Sequence, residues 1–374
     1  MGDLFIDGEA TISDLSALSS LLCVDGELGI HGTGITNLEG LEGIRMISGE
    51  MDIEGNDELV SFAGLNDDLA QLGGLRVSFN TKLGSIDGFL EVNNPALLSV
   101  EGNASLEAIA GFADVTSFGT IVILDNDSLV SLQGLNQVQS AGSLRLEGND
   151  KLEHIDGFAP FTGTGEFLIL DNLSLLDLDA FGSFTSSGSF LIQGNASLES
   201  IAGLKSYTGG SSVTIDDNDS LTNLDGLESM KGNGGLYITN NDKLADLSGL
   251  SNFAGTGENH FINNDSLTSL NGLDSFINGG VLVVSDNDSL ESVDGMTSLQ
   301  GIGSIVLENN PKLVNIEGLS VLIGTPSLDI NENESLSYCH ICEVLSDVIL
   351  AGAALTCDGN LADDCWDGDA ISCP

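Results

Sequence analysis

The chain has 374 residues, of which 57 are Asp or Glu and 9 are Lys or Arg, so its formal net charge is −48. This charge excludes nucleic acid and anionic membrane surfaces as binding partners, since both require a cationic face. A hydrophobic content of 41% argues against a disordered acidic chain. No apolar run is long enough for insertion into a membrane.

The N-terminal segment and the repeat that follows it predict a stack of short strands. Residues Leu4 to Ile6 have the pattern of a strand, so we expect the natural chain to begin upstream of Met1. From there an apolar pattern recurs every 23 residues, with Asn126 and Asn149 at equivalent positions. Each coil contains two apolar residues separated by one other residue, which is the period of a strand. Further apolar residues follow at intervals of three and mark the corners of the coil. Stacking buries the apolar face that a single coil leaves open. The sequence therefore predicts an all-β, right-handed parallel β-solenoid of about fifteen coils over residues 1–336.

The repeated Asn predicts a ladder inside the solenoid. An inward Asn stacked on identical residues bonds backbone groups at a corner and the amide of its neighbour. Eight ladder residues are also the Asn of an N-x-S sequon: Asn103, Asn126, Asn172, Asn195, Asn218, Asn264, Asn287 and Asn333. If these side chains are buried, the sequons are products of the repeat and carry no glycan.

Two segments resemble a known family. The runs Val92–Leu97 (VNNPAL) and Asn309–Leu313 (NNPKL) are similar to the receptor L-domain repeats of growth-factor and insulin-type receptors. Similar leucine-rich-repeat-like segments occur in fungal cell-wall proteins and secreted bacterial proteins. The resemblance implies a solenoid with an Asn ladder. It also implies an interaction role, because receptor L domains bind protein ligands, but it transfers no ligand-contacting residue to this chain.

Acidic corners are the first candidate site. In three coils the ladder Asn has an Asp on both sides: Asp125 and Asp127, Asp217 and Asp219, and Asp286 and Asp288. If these side chains point outward, carboxylates of successive coils stack and repel each other. Ca²⁺ would relieve the repulsion, because it favours clustered oxygen ligands. The alternative is a solvated acidic edge, and neither an EF-hand nor a G-G-x-G-x-D nonapeptide is present to support Ca²⁺ binding.

Outward strand positions in the middle coils are unusually apolar. They predict a partner face that includes Val122, Leu168, Leu191, Tyr237, His260 and Val283. Side by side, such residues would form an exposed apolar stripe, which marks a binding site in soluble proteins. The alternative is that a lateral loop covers them. Asn259 stands where a Leu or Val is expected, which indicates a local bulge or, alternatively, a site that includes His260.

Cysteines concentrate at the C-terminal end. Cys339, Cys342, Cys357, Cys365 and Cys373 predict a disulfide-bonded, partly helical cap over residues 337–374, with a helix from Glu343 to Leu350. Five cysteines form at most two bridges, and the length of the predicted solenoid separates Cys23 from them. We therefore expect Cys23 and one tail cysteine to be free or intermolecular, and the second case predicts head-to-tail assembly of copies.

These features predict a secreted or cell-surface structural or adhesive protein that is not an enzyme. Its partner would be a protein, a glycan or a second copy of the chain, and Ca²⁺ is the one cofactor that the pattern suggests. Two alternatives remain: a polysaccharide-active enzyme on a β-helix, and a mineral- or ice-binding surface. The acidic residues follow the repeat, whereas a catalytic site should interrupt it with nearby Arg, Lys or His, and this argues against the enzyme.

Overall fold

A computed structural model of the protein describes residues 2–8, 11–65, 68–158, 160–163, 165–185, 188–210, 212–232, 234–324, 326–350 and 352–362. The chain divides into two compact units, Met1–Gly188 and Ser189–Pro374. Each unit is a parallel β-solenoid, and the chain makes about 15 turns in all. The predicted all-β solenoid is therefore confirmed.

The described residues of the first unit contain eleven strands that repeat with the coils. They are β1 (Leu4–Asp7), β2 (Cys23–Val24), β3 (Leu28–His31), β4 (Met46–Glu54), β5 (Gln71–Ser78), β6 (Ser85–Ile86), β7 (Leu97–Glu101), β8 (Ala108–Ile109), β9 (Ser117–Leu124), β10 (Ser140–Glu147) and β11 (Phe167–Leu170). Short 3-10 turns lie at Ser16–Leu18, Gln133–Leu135 and Asp179–Phe181. The long strands pair in parallel from coil to coil, as Leu144 of β10 does with Phe167 of β11.

The described residues of the second unit contain the remaining strands and two α-helices. They are β12 (Phe190–Gln193), β13 (Val213–Asp216), β14 (Leu236–Thr239), β15 (Glu258–Ile262), β16 (Asn278–Ser285), β17 (Gly301–Glu308), β18 (Ser327–Asn331), α1 (Tyr338–Val344), α2 (Ser346–Leu350) and β19 (Ala354–Thr356). Its 3-10 turns lie at Ala202–Leu204, Ser248–Leu250 and Glu317–Leu319. Consecutive strands again pair in parallel, with Val213, Leu236 and Asn259 in one row.

Alternation along each strand places the core. In β11, Phe167 and Ile169 are buried, whereas Leu168 and Leu170 between and after them are half-buried. This is the period of two that pleating imposes. The Leu three residues after each ladder Asn is buried in every coil from Leu59 to Leu336, which confirms its predicted role in the core.

The Asn ladder lies fully inside both units. Asn241 illustrates the pattern: its Nδ2 donates to the carbonyl oxygens of Ile215 and Thr239, and its Oδ1 accepts from the backbone N–H of Asn218. The side chains of all eight sequon Asn residues have no exposed surface. Backbone groups at the corner thereby obtain hydrogen bonds that neither a strand nor a helix supplies.

The residue before each ladder Asn adopts a left-handed backbone conformation. Its φ angle is 64° at Gly55, 55° at Phe79, 53° at Asp125 and 55° at Asn240. Glycine, Asn and Asp tolerate this region better than other residues do. The Asp residues on this side of the ladder, at positions 125, 217 and 286, are therefore explained by backbone geometry alone.

The C-terminal cap differs from the prediction in where its helix begins. Helix α1 starts at Tyr338 and not at Glu343, because the Ser337 side chain caps it by accepting from the backbone N–H of His340. After α2, the chain returns to the solenoid, and β19 pairs in parallel with β18. Asn360 extends the ladder by accepting from the backbone N–H of Asn333, at 3.1 Å. The helices thus form part of a last, longer coil.

The sequence predicts a disulfide-bonded cap with at most two bridges among its five cysteines and one cysteine left over. Cys357 is a free thiol, 3% exposed, and burial raises its pKa. Cys339 and Cys342 each take part in a disulfide bond. Cys365 and Cys373 lie outside the described residues. Cys23 is free and half-buried, so head-to-tail assembly remains a prediction. Burial makes Cys357 unsuited to an intermolecular bond.

Candidate functional site

The acidic corners do not converge on a shared centre. Asp125, Asp127, Asp217, Asp219 and Asp288 are exposed, and Asp286 is half-buried and accepts a hydrogen bond from Asn309 Nδ2 at 2.7 Å. The carboxylates of Asp219, Asp242, Asp265 and Asp288 follow one another on successive coils at the position after the ladder Asn. Partial burial, then the charges of Asp242 and Asp217, raise the pKa of Asp219 above its usual range. The carboxylates of such a column repel one another. Ca²⁺ binding at these corners stays a prediction.

All six predicted partner-face residues occupy the central outward position of their strands. In the first unit, Val122 and Leu168 flank Arg145 in one row. All six are half-buried, since neighbouring side chains about 4.8 Å apart cover one another. The charged Arg145 side chain thus interrupts this row, so the first unit lacks the continuous apolar stripe that the sequence suggests.

In the second unit the equivalent strand position has no Asp, Glu, Lys or Arg from Leu191 to Val306, and it includes two rings. Parallel pairing places Leu191, Thr214, Tyr237, His260, Val283 and Val306 side by side. The rings of Tyr237 and His260 lie with their centroids 4.9 Å apart. We name this row, from Leu191 to Val306, the outer row.

Glu258 supplies the charge next to the two rings. Its Oε2 lies 3.5 Å from the Tyr237 hydroxyl and 3.9 Å from His260 Nε2. Burial and the neighbouring Glu258 carboxylate raise the pKa of Tyr237, so this side chain remains a neutral hydrogen-bond donor. His260 Nε2 is buried and makes no hydrogen bond.

Asn259 points into the core beside this pair. It is 1% exposed, its Nδ2 donates to the carbonyl oxygen of Gly257 at 3.0 Å, and its Oδ1 has no hydrogen-bond partner. It occupies the row of Leu236 and Leu282 with regular pairing on both sides. The bulge that the sequence suggested at Asn259 is therefore not formed.

Comparison with protein-family models and with curated proteins finds no match to this chain. Among the helices that the structure describes, none has the length and hydropathy needed to span a bilayer. The fold and the side chains of the two units therefore carry the functional argument.

A third cluster, in the first unit, was not predicted from the sequence. His31, Asp52 and Glu54 offer ligand atoms that all lie within 4.8 Å of one another. In the described part of the chain, no other group of three or more His, Cys, Asp or Glu residues meets this condition. Asp7, His31 and Glu54 share one row of the parallel sheet, two residues after the position considered for the partner face. Reading that second outward row coil by coil would have revealed the cluster.

Proposed function

We propose that the protein is a secreted or cell-surface interaction protein without enzymatic activity, and that a partner protein docks on the outer row of the second unit. The composition of that row carries the proposal: aliphatic side chains of Val283 and Val306 continue directly from the adjacent rings of Tyr237 and His260. Tyr and His present an apolar body and a polar tip, a combination that suits interfaces. The similarity to receptor L-domain repeats supports the same role.

Rigidity of the neighbouring outward row supports docking on this face. Asp216 accepts from Gln193 Nε2 at 2.8 Å, from Thr239 Oγ1 at 2.6 Å and from Asn240 Nδ2 at 2.8 Å. These bonds hold polar side chains of three successive strands in place. A partner that binds beside them loses little side-chain freedom on the protein's side, which favours affinity.

Charge selects the class of partner. Glu258 and Asp216 border the outer row, and the whole chain has a net charge of −48. A partner surface with basic residues around an apolar or aromatic centre complements this arrangement, whereas an acidic one is repelled. We therefore propose a basic protein as the occupant.

A displayed random-peptide library tests this proposal. We expect peptides with basic residues around an apolar or aromatic centre to be selected, and Val283→Asp to weaken their binding by about tenfold or more, because it places a charge in the interface centre. Val314→Asp is the matched control, since Val314 is 54% exposed in the same unit and lies outside the outer row. Its binding should equal that of the unsubstituted protein.

Other outcomes would contradict the proposal. Equal loss in both variants, or no selected peptide, removes the outer row as a protein-docking face. A glycan array run in parallel addresses the alternatives. Binding to a neutral polysaccharide that Val283→Asp abolishes would make the partner a glycan, and new reducing ends in that polysaccharide would make the protein an enzyme.

A further inference from the structure

We infer that His31, Asp52 and Glu54 form a binding site for one divalent transition-metal ion of the Zn²⁺ class on the outer face of the first unit. The three residues come from β3 and β4, which pair in parallel, so His31 lies directly opposite Glu54. Asp52 lies two residues before Glu54 on the same side of β4. The ligand atoms of the three residues lie within 4.8 Å of one another.

Asp7 orients the imidazole toward this centre. Its Oδ1 lies 2.8 Å from His31 Nδ1, so the neutral ring that donates from Nδ1 has its lone pair on Nε2. Nε2 in turn lies 3.5 Å from Asp52 Oδ2. A carboxylate that fixes the distal nitrogen of a metal-binding histidine is a common arrangement in metal sites, because it fixes the tautomer and the ring orientation.

Two polar atoms of the cluster lack hydrogen-bond partners within the described part of the protein. His31 Nε2 and Asp52 Oδ1 are both buried and make no hydrogen bond. The Asp52 side chain is 15% exposed. Unpaired polar atoms in such a position are costly to the folded state. A cation between them would satisfy both.

Gly29 provides the space that the ring occupies. A Cβ atom at this position would lie 2.7 Å from His31 Cε1 and 2.9 Å from His31 Nε2. The imidazole therefore lies across Gly29, which stands next to Asp52 in the sheet. Any larger residue at position 29 would displace the ring and separate Nε2 from Asp52.

The ligand set selects the class of ion. One imidazole nitrogen and two carboxylates suit Zn²⁺ and similar transition metals better than Ca²⁺, which prefers six or more oxygen ligands. Tetrahedral Zn²⁺ with bonds of ~2.1 Å needs ligand atoms roughly 3.4 Å apart. The exposed Glu54 side chain is free to close the remaining distance. Arg76 pairs with Asp52 in the sheet, but its guanidinium is directed toward Glu50, at 3.4 Å.

Calorimetric titration with Zn²⁺, in millimolar Mg²⁺ to occupy the exposed carboxylates, tests the site. We expect one equivalent to bind with micromolar or better affinity, and His31→Ala to weaken it by about tenfold or more. His154→Ala is the matched control, because His154 Nδ1 also lies close to a carboxylate, 2.7 Å from Asp177, but belongs to no group of three ligands. This control should leave Zn²⁺ binding unchanged.

Two further variants keep the test decisive if His31→Ala does not fold. Gly29→Ala and Asp7→Asn retain all three ligands, and each should weaken Zn²⁺ binding, the second by about 10–100-fold as for other outer-shell partners. Far-UV circular dichroism confirms that each variant is folded. Binding that persists in both folded variants would refute the site.

Cobalt substitution identifies the ligands directly. Co²⁺ bound at this site should show d–d absorption without a thiolate-to-metal charge-transfer band, because no sulfur belongs to the cluster. Such a band would assign the ion to a free cysteine such as Cys23. That result, the absence of Zn²⁺ binding, or equal loss of binding in His31→Ala and His154→Ala would overturn the inference.

Discussion

At the residue scale, the ladder Asn is the side chain that the fold depends on most. It links three successive coils, as Asn241 shows: its Oδ1 accepts from the backbone N–H of Asn218 in the coil before, and its Nδ2 donates to Oδ1 of Asn264 in the coil after. A Leu in its place would bury equal volume but leave the corner carbonyl and N–H groups without partners. This is why the repeat tolerates Gly, Asp, Asn or Phe one residue earlier yet keeps Asn here.

Replacing Asn241 by Ala tests this dependence. The change removes the acceptor of the Asn218 N–H and one donor each from the Ile215 and Thr239 carbonyl oxygens, and a buried group left unpaired costs about 1–3 kcal/mol. We expect a loss of about 3 kcal/mol or more, measured by urea unfolding as a lower midpoint of the first transition, since long repeat arrays do not always unfold in one step. Asn271→Ala, at an exposed position, is the control. Equal effects of the two changes would show that the hydrogen bonds of the ladder add nothing to the free energy of unfolding.

At the scale of one structural element, the corner column of the second unit concentrates like charge. Burial and then Asp288 and Asp242 raise the pKa of Asp265, and Asp242 also acts on Asp219. A raised pKa means that the folded state holds these protons more tightly than the unfolded state. The column therefore destabilises the fold at neutral pH, and this cost disappears as the pH falls below the unfolded pKa of the carboxyls.

Asp242→Asn should stabilise the protein, because it removes the charge that acts on both Asp219 and Asp265. The expected gain is at most about 1 kcal/mol, the size of an exposed charge pair, and it should shrink in high salt. Thermal unfolding near pH 7 should show the gain, and near pH 3, where the carboxyls are protonated, it should be absent. Asp114→Asn, exposed and outside the column, serves as the control. A gain of the same size at both pH values would rule out column repulsion as its cause.

The solenoid was predictable from the sequence because its period fixes which side chains face inward. Leu59 through Leu336 and the ladder Asn residues follow from spacing alone. The last ladder member was not predictable: Asn360 lies 27 residues after Asn333, since α1 and α2 lengthen that coil. The start of α1 at Tyr338 also differed from the predicted start at Glu343, because a Ser cap and tertiary packing decide helix ends more than composition does.

The candidate sites were predictable only in part. Outward strand positions follow from alternation, so Tyr237 and His260 were found. Whether a charged residue of the adjacent strand falls within an apolar row depends on the exact register of strand pairing. Arg145, which lies between Val122 and Leu168, is an example. The His31 cluster combines side chains of two coils with the orientation of an imidazole ring over Gly29, and no spacing rule encodes that orientation.

At the scale of the whole molecule, a net charge of −48 sets a general electrostatic cost on the folded state. This cost is spread over both units and does not depend on any single corner. Counter-ions reduce it, because the Debye length falls from about 30 Å at 0.01 M salt to about 8 Å at 0.15 M. Stability should therefore depend on ionic strength more than it does for a protein of balanced charge.

Thermal unfolding at matched ionic strength separates screening from specific calcium binding. We expect the midpoint to rise with NaCl, and Mg²⁺ and Ca²⁺ to raise it equally, because the described acidic corners bring no three carboxylates together. Size-exclusion chromatography in the same buffers would detect assembly. A larger rise in Ca²⁺ than in Mg²⁺ would instead assign Ca²⁺ sites to the Asp pairs that flank the ladder.

The burial of the sequon Asn residues has a consequence for biosynthesis. In a cell with an N-glycosylation pathway, the transferase modifies extended chain, and the folded ladder offers it no exposed amide. A sugar attached at Asn126 or Asn287 would therefore record that this coil was still unfolded when the enzyme reached it. It would also block the stacking of that coil, so glycan occupancy would report how folding competes with modification during secretion.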